Sequence, residues 1–274
     1  MRFFLTLVFL AALAGLRADE LRPATPDETA LLKDALKNSR QDTDHWAYTE
    51  TTRQKIGIGK TPKGETIVRF DPSKPYSEQY TPFKIEGREP TDKERKKYRE
   101  KGERRGENLS RAAARAADPT VPDQPVAPST KSRKNTEVKP DTDHPRVVRV
   151  ENDRVLYDVP LVSNAKDFPV DKVEVRAVVN QATRQIEHAS FRIKESFRVK
   201  VVAKVKAGEG SIDFAVVDPK FGPVMTAANG TFGASLLLVP VNATFASTRT
   251  DFQRVKPYNE RLQVKLGPLE LLDF

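Results

Sequence analysis

The chain has 274 residues, with 47 Lys and Arg against 38 Asp and Glu, and a formal net charge of +9. It contains no cysteine, which excludes disulfides, zinc–thiolate sites and cysteine nucleophiles. The excess of positive charge favours contact with anionic surfaces but says nothing about the fold.

The first 18 residues have the order of a secretory signal peptide. Met1-Arg2 supplies positive charge, residues 3–16 are almost all apolar, and Ala18 is the small residue before Asp19. The apolar run is shorter than the ~20 residues that a membrane-spanning helix needs. We therefore expect a cleaved signal peptide over 1–18 and a periplasmic or secreted protein. Lipid or cell-wall surfaces are then the expected anionic partners, and nucleic acid is not.

An amphipathic helix is predicted over residues 27–37. Thr25 is a suitable N-cap, Pro26 suits the first helical position, and acidic residues fill the first turn. Apolar residues then recur at helical spacing, at Leu31, Leu32, Ala35 and Leu36.

The apolar period changes to two residues after this helix, which is typical of strands. Strands are predicted over 46–56, 65–71 and 80–86, with a turn between the first two. Pro82 makes the third an edge strand or an irregular one.

A highly charged stretch follows from residue 91 to about residue 115. Thr91 and Glu94 form a capping-box pattern, which predicts a helix start. Because this helix has almost no apolar stripe, we expect it to be solvated or frayed. Prolines recur from Pro119 onward, so a linker is predicted up to Pro145.

From residue 146 to residue 274 the sequence predicts a series of antiparallel strands joined by short turns. Asn152-Asp153 is expected to turn a hairpin, and residues 206–210 to form another turn. The predicted strands cover 146–150, 154–159, 171–180, 184–193, 197–205, 211–217, 232–239, 242–254 and 261–274.

These elements predict a mainly β (α+β) fold: a curved antiparallel sheet or half-barrel with the N-terminal helix against its concave face. The expected organisation is a signal peptide (1–18), the helix and first strands (19–90), a charged helix with a proline-rich insert (91–145), and the completing strands (146–274).

Two motifs of enzymes and nucleotide-binding proteins are incomplete in this sequence. Gly59-Lys60-Thr61 ends like a phosphate-binding loop, but Gln54 stands where that motif needs glycine. Gly233-Ala234-Ser235 lacks the glycine that follows the serine in a nucleophile elbow. We expect no enzyme and no cofactor, although a triad assembled only in space stays open.

Metal binding is not expected either, because His45, His144 and His188 are scattered along the chain. Asp141 to His144 forms the only local cluster, and it lacks the calcium-loop pattern.

The order of signal peptide, helix, Trp46-Ala47-Tyr48 strand and long antiparallel meander resembles the LolA/LolB-like superfamily of periplasmic lipoprotein carriers. The segments Arg69-Phe70-Asp71-Pro72 and Gly87-Arg88-Glu89-Pro90-Thr91 resemble exported proteins near that group. The resemblance implies a half-barrel whose apolar concave face receives acyl chains, without catalysis.

The leading hypothesis is therefore an exported, non-catalytic carrier that holds an acyl or other lipid-like ligand. An interaction or scaffold protein that uses its basic helix and proline-rich segment is the alternative, and an exported hydrolase is third. The residues expected to line the ligand site, or simply to fill the core, are Trp46, Tyr48, Val175, Val199, Val201, Phe214 and Val216. Those expected to contact an anionic surface are Lys93, Arg95, Lys96, Lys97, Arg99, Arg104 and Arg105.

Overall fold

A computed structural model of the chain describes residues 21–39, 43–57, 64–117, 138–164, 168–199, 203–236 and 239–261. The predicted signal peptide, most of the predicted proline-rich linker and nearly all of the last predicted strand lie outside these ranges. Within them, no helix is both long enough and apolar enough to cross a membrane.

The described residues form three α-helices and fourteen strands. The helices are α1 (Pro26–Asn38), α2 (Asp92–Ala117) and α3 (Tyr258–Arg261), and short 3₁₀ turns lie at Thr43–His45, Tyr76–Glu78 and Val170–Lys172. The strands are β1 (Arg22–Pro23), β2 (Trp46–Gly57), β3 (Thr66–Phe70), β4 (Tyr80–Lys84), β5 (Val138–Pro140), β6 (Arg146–Glu151), β7 (Arg154–Asp158), β8 (Leu161–Ser163), β9 (Val173–Asn180), β10 (Gln185–Ile193), β11 (Phe197–Val199), β12 (Ala203–Ala215), β13 (Val224–Leu236) and β14 (Val239–Arg254).

Twelve of the strands form one antiparallel sheet that does not close on itself. Its order is β1-β6-β7-β9-β10-β12-β13-β14-β2-β3-β4, and β11 pairs with β12. Strands β5 and β8 form a separate pair. The predicted mainly β fold with one large open sheet is confirmed.

Helix α1 begins as the sequence predicts. The Thr25 side chain accepts a hydrogen bond from the Glu28 amide, and the Glu28 carboxylate accepts one from the Thr25 amide at 2.8 Å. Arg22 adds two donors to the same carboxylate, at 2.8 and 2.6 Å. A negative group in the first helical turn also interacts favourably with the helix dipole.

The apolar side of α1 packs on the sheet and forms the main core there. Leu31, Leu32 and Ala35 are buried against a wall contributed by β6, β7, β9 and β10. Tyr157 lies fully buried in this wall, and its hydroxyl donates to the Glu28 carbonyl at 2.8 Å. The helix and the sheet are thus joined by apolar contact and by a partly buried hydrogen bond.

The hairpin predicted at Asn152-Asp153 is also confirmed. Both residues have positive φ, 49° and 59°. A two-residue turn of this kind matches the twist of the strands that it joins, and Asn and Asp tolerate the conformation well.

Three sequence predictions for the sheet were wrong. Residues 197–205 do not form one strand, because Phe197 in β11 is the antiparallel partner of Val205 in β12. Residues 206–210 lie inside β12 rather than in a turn. In the predicted linker, Val138–Pro140 is a strand paired with β8.

Replacing Leu32 by Ala should lower the free energy of unfolding by about 2–5 kcal/mol, because it leaves a cavity between α1 and the sheet. Chemical denaturation measures this change. Leu21, which is 46% exposed, provides the matched control: Leu21→Ala should alter stability by less than about 0.5 kcal/mol. Equal losses in the two variants would contradict the packing described.

The ion pair at the start of α1 predicts a loss of stability in acid. Hydrogen bonds from Arg22 lower the pKa of Glu28 from 4.5 to about 2. Because the folded-state pKa is depressed, the stabilisation is complete above pH 4.5 and disappears as the pH falls towards 2. Glu28→Gln should flatten the pH dependence of Tm in that window, and Glu151→Gln, on the exposed end of β6, should not.

Candidate functional site

One row of directly opposed residues crosses the middle of the sheet. In an antiparallel sheet such residues point to the same face. The row begins beside α1, since Val175 packs against the α1 core, and ends beside α2, since Gln54 lines the cleft beneath that helix. Both helices therefore lie on one face, called the inner face below. The row consists of Val175, Phe191, Gly210, Gly230, Phe245 and Gln54.

Large apolar side chains remain exposed on the inner face between the two helices. Phe191, Ile212, Phe232 and Phe245 are each between 37% and 43% exposed. Ile212 and Phe232 belong to this face because they lie two residues from Gly210 and Gly230 on the same strands. We call these four residues the apolar floor.

Two glycines in the row make room for the rings of the floor. A Cβ on Gly210 would lie 2.5 Å from the Phe191 ring, and one on Gly230 would lie 2.6 Å from the Phe245 ring. Each ring thus covers the glycine opposite it. Glycine weakens a strand interior, so its presence here is explained by this close approach.

A cleft of about 460 Å³ lies between α2 and strands β2–β4. Its lining is mixed, with aromatic rings beside charged and polar groups. The sheet contributes Tyr48, Glu50, Gln54, Phe70 and Tyr80, and the helix contributes Glu94, Lys97, Tyr98 and Lys101. Because Gln54 is the partner of Phe245, the cleft adjoins the apolar floor.

Cations lie over the aromatic rings at this end of the sheet. The Lys101 ammonium is 4.1 Å from the Tyr80 ring centre and 5.8 Å from that of Tyr98. The Arg249 guanidinium lies 4.3 Å from the Tyr48 ring centre. Burial raises the pKa of Tyr48 to about 12 and lowers the pKa of Lys101. The Tyr48 hydroxyl is therefore neutral across the physiological range.

Helix α2 is docked rather than solvated all round, which corrects the sequence prediction. Gly102 and Gly106 are buried against Tyr76. Arg105 reaches Gln79 at 2.9 Å and Asp44 at 2.7 Å. Helix α2 is held in place by its two glycines, which pack against Tyr76, and by the contacts of Arg105. These contacts do not need an apolar stripe, so its absence did not predict the docking.

The residues expected to line a ligand site are spread over different places. Tyr48 lines the cleft. Val175 and Phe214 pack against the α1 core instead. Trp46 is buried and makes edge-on contacts with Phe221 and Phe252, so it fills the core.

Val216 lies beyond the end of β12 and is exposed. The Val199 side chain and the whole of Val201 lie outside what the structure describes. The expected ligand-lining set is therefore not brought together as one site.

Most of the basic residues singled out on α2 are exposed. Arg105 is the exception, with a side chain only 18% exposed in its ion pair with Asp44. Lys97 is exposed and also lines the cleft. The others are Lys93, Arg95, Lys96, Arg99 and Arg104.

The sequence interpretation missed the apolar floor and the role of Lys101. The signal for the floor was present: Phe191, Phe232 and Phe245 alternate with polar residues along their strands. It was hidden because Gly208 and Gly210 were interpreted as a turn. For Lys101 the sequence carried no signal, since its ring partner Tyr80 lies on another element.

Among the described residues there is no group of three or more His, Asp or Glu side chains that could hold a metal ion. His188 and Asp213 do meet, at 2.7 Å. They are opposed residues on β10 and β12 and lie one position along from the inner-face residues Ala189 and Ile212. This pair therefore belongs to the opposite face of the sheet.

Comparison with known proteins gives a distant structural similarity. No protein-family model matches the chain, and no curated protein matches it. A solved structure of a LolA superfamily protein from Nitrosomonas europaea is similar over 86% of this chain and 96% of that one, with 12% sequence identity and a TM-score of 0.35. Similarity at this level indicates neither a ligand nor an activity.

Adding a single methyl group to α2 should displace it from the cleft. A Cβ on Gly102 would lie 1.8 Å from the Tyr76 carbonyl oxygen, so Gly102→Ala should lower Tm and speed amide exchange along α2. This should happen although Ala favours helix by about 1 kcal/mol over Gly. Ser110→Ala, at an exposed position of α2, should leave both measurements unchanged, and unchanged values for Gly102→Ala would refute the docking.

Proposed function

We propose that this protein is an exported, periplasmic carrier that holds the acyl chain of a lipid-like ligand on the apolar floor and performs no chemistry on it. The observation that carries the proposal is the row from Val175 to Gln54, which places an exposed apolar surface between two helices on one face. The sequence resemblance to LolA/LolB-like carriers supports the same proposal.

The dimensions of the floor fit an acyl chain. Phe191 and Phe245 are three strand spacings apart in the sheet, which is about 14 Å at ~4.8 Å per spacing. One leaflet of a bilayer has about 15 Å of hydrocarbon, half of the full thickness. A membrane acyl chain laid across the strands would therefore reach from one phenylalanine to the other.

The binding energy would come from burial of apolar surface. Removing apolar area from water contributes roughly 25 cal/mol per Å². The four floor residues already lie together on one face of adjacent strands. An acyl chain that covers them therefore binds with little loss of side-chain conformational entropy. Helices α1 and α2 mark the two ends of the floor and leave its middle accessible.

A second candidate function is favoured by α2 itself. Its exposed cations, Lys93, Arg95, Lys96, Arg99 and Arg104, form a basic surface that fits an anionic membrane or cell-wall polymer. Such contact could also bring a carrier to its source of lipid. Binding of the protein to vesicles with and without anionic lipid tests this function separately.

The carrier proposal is tested by binding of a fluorescent fatty acid and by mass spectrometry of lipid that co-purifies with the protein. Ile212→Ser combined with Phe232→Ser should weaken uptake at least about tenfold, since burial of each such side chain contributes about 1.5–3 kcal/mol. Both residues are exposed, so the variant should still fold.

The matched control combines Phe83→Ser with Val162→Ser. These two residues are 56% and 38% exposed and lie neither on the apolar floor nor in the cleft. The control should bind the fatty acid as the parent protein does. If the parent protein carries no lipid and takes up no fatty acid, or if both double variants lose binding equally, the carrier proposal fails.

A further inference from the structure

We propose that the cleft beneath α2 binds the anionic head group, a carboxylate or a phosphate monoester, of the amphiphile whose chain lies on the apolar floor, with Lys97 and Lys101 as its cationic partners. This inference rests on the proposed carrier function and adds the chemistry of the ligand's polar end.

The cleft is in the right place for a head group. Phe245, the last ring of the floor, is directly opposed to Gln54 in the wall of the cleft. A chain running along the floor from Phe191 to Phe245 therefore enters the cleft where the apolar lining ends. Beyond that point the lining changes to Glu50, Thr52, Lys97 and Lys101.

Three carboxylates line the cleft, Glu50, Glu86 and Glu94, and Glu50 and Glu94 have cationic partners. Glu50 accepts hydrogen bonds from Arg249 at 3.2 Å and from Ser247 at 3.1 Å. Glu94 accepts two from Arg88, at 2.9 and 2.8 Å. Their negative charge is balanced inside the protein, so neither needs a lysine as a counter-ion.

Lys97 and Lys101 have no such ion-pair partner. Among the described residues, no carboxylate lies within ion-pair distance of Lys97 or Lys101. Lys101 is instead held over the Tyr80 and Tyr98 rings, and only the longer-range field of Glu50 favours its charge. Both lysines are exposed, and an ammonium group without a counter-ion can donate charge-assisted hydrogen bonds to an anionic ligand.

The geometry of α2 makes the two lysines act together. They are four residues apart and so lie on the same side of the helix, about 5–6 Å apart at Cβ. Two like charges at this spacing repel each other, and an anion between them relieves the repulsion. The docking of Gly102 and Gly106 on Tyr76 keeps this side of α2 turned towards the sheet.

Isothermal titration of the mature protein with ligands that share one chain tests the inference. The probes are dodecanoate, dodecyl phosphate and uncharged dodecyl glucoside, all below the concentration at which micelles form, and inorganic phosphate alone. We expect the two anionic amphiphiles to bind at least about tenfold more tightly than the glucoside, because hydrogen bonds to charged groups are among the stronger ones. Added salt should reduce this difference in affinity between the anionic amphiphiles and the glucoside.

The variants separate the head group from the chain. Lys97→Gln combined with Lys101→Gln should lower the affinity for the two anionic amphiphiles to that for the glucoside. The affinity for the glucoside itself should not change. If the double variant folds poorly, Lys97→Gln alone replaces it. This exposed position should give part of the same loss of affinity. Lys93→Gln combined with Lys96→Gln, on the same helix but outside the cleft, is the matched control and should change nothing.

The outcomes are distinguishable. If all three amphiphiles bind equally well to the parent protein and to the lysine variants, the head-group inference is overturned and the carrier function stands. If inorganic phosphate binds as tightly as dodecyl phosphate, the cleft is a site for free anions and the inference is again overturned. If no amphiphile binds at all, the carrier function and the inference fall together.

Discussion

The pairing of β14 with β2 is the constraint on which the rest of the structure depends. It joins the last long strand of the described chain to the first, with partners from Asn242–Gly57 to Arg254–Trp46. Through it, the three strands next to α2 become part of the sheet that carries α1. Without this ladder the apolar floor would end at Phe245, and the cleft would belong to a separate three-stranded piece.

Pairing between segments so far apart in sequence has a kinetic cost. Loop closure must precede any stabilising contact, so sheets dominated by distant pairings fold slowly. The local elements around it are well specified, however: the β6–β7 hairpin has a two-residue turn, and α1 has a complete capping box. The chain can thus form its local elements first and complete the sheet last.

The sequence predicted best what depends on neighbouring residues. The start of α1 at Thr25, the Asn152-Asp153 turn and the start of α2 after Thr91 all follow from short patterns, and each is confirmed. The sequence predictions failed where residues far away in the sequence determine the local structure. Gly208 and Gly210 look like a turn until Ile193, Phe191 and Phe232 are seen beside them on adjacent strands.

The same limit explains the candidate site. Alternating apolar residues predicted a buried face correctly, but which of them stay exposed depends on where the helices end. The position of α2 depends on two glycines and a tyrosine that meet only in the folded protein. Cation–ring contacts such as Lys101 over Tyr80 leave no periodic pattern, so they could not be found from composition or spacing.

An open sheet has two outer edges, and here each edge is formed by a strand that contains proline. Strand β1 is only Arg22–Pro23, and β4 carries Pro82 near its middle. Proline has no N–H group to offer, and very short edge strands give a neighbouring molecule little to pair with. A sheet with an exposed apolar surface would otherwise be prone to stack edge to edge into fibres. These short, proline-containing edge strands therefore disfavour edge-to-edge assembly, even though the sheet has an exposed apolar surface.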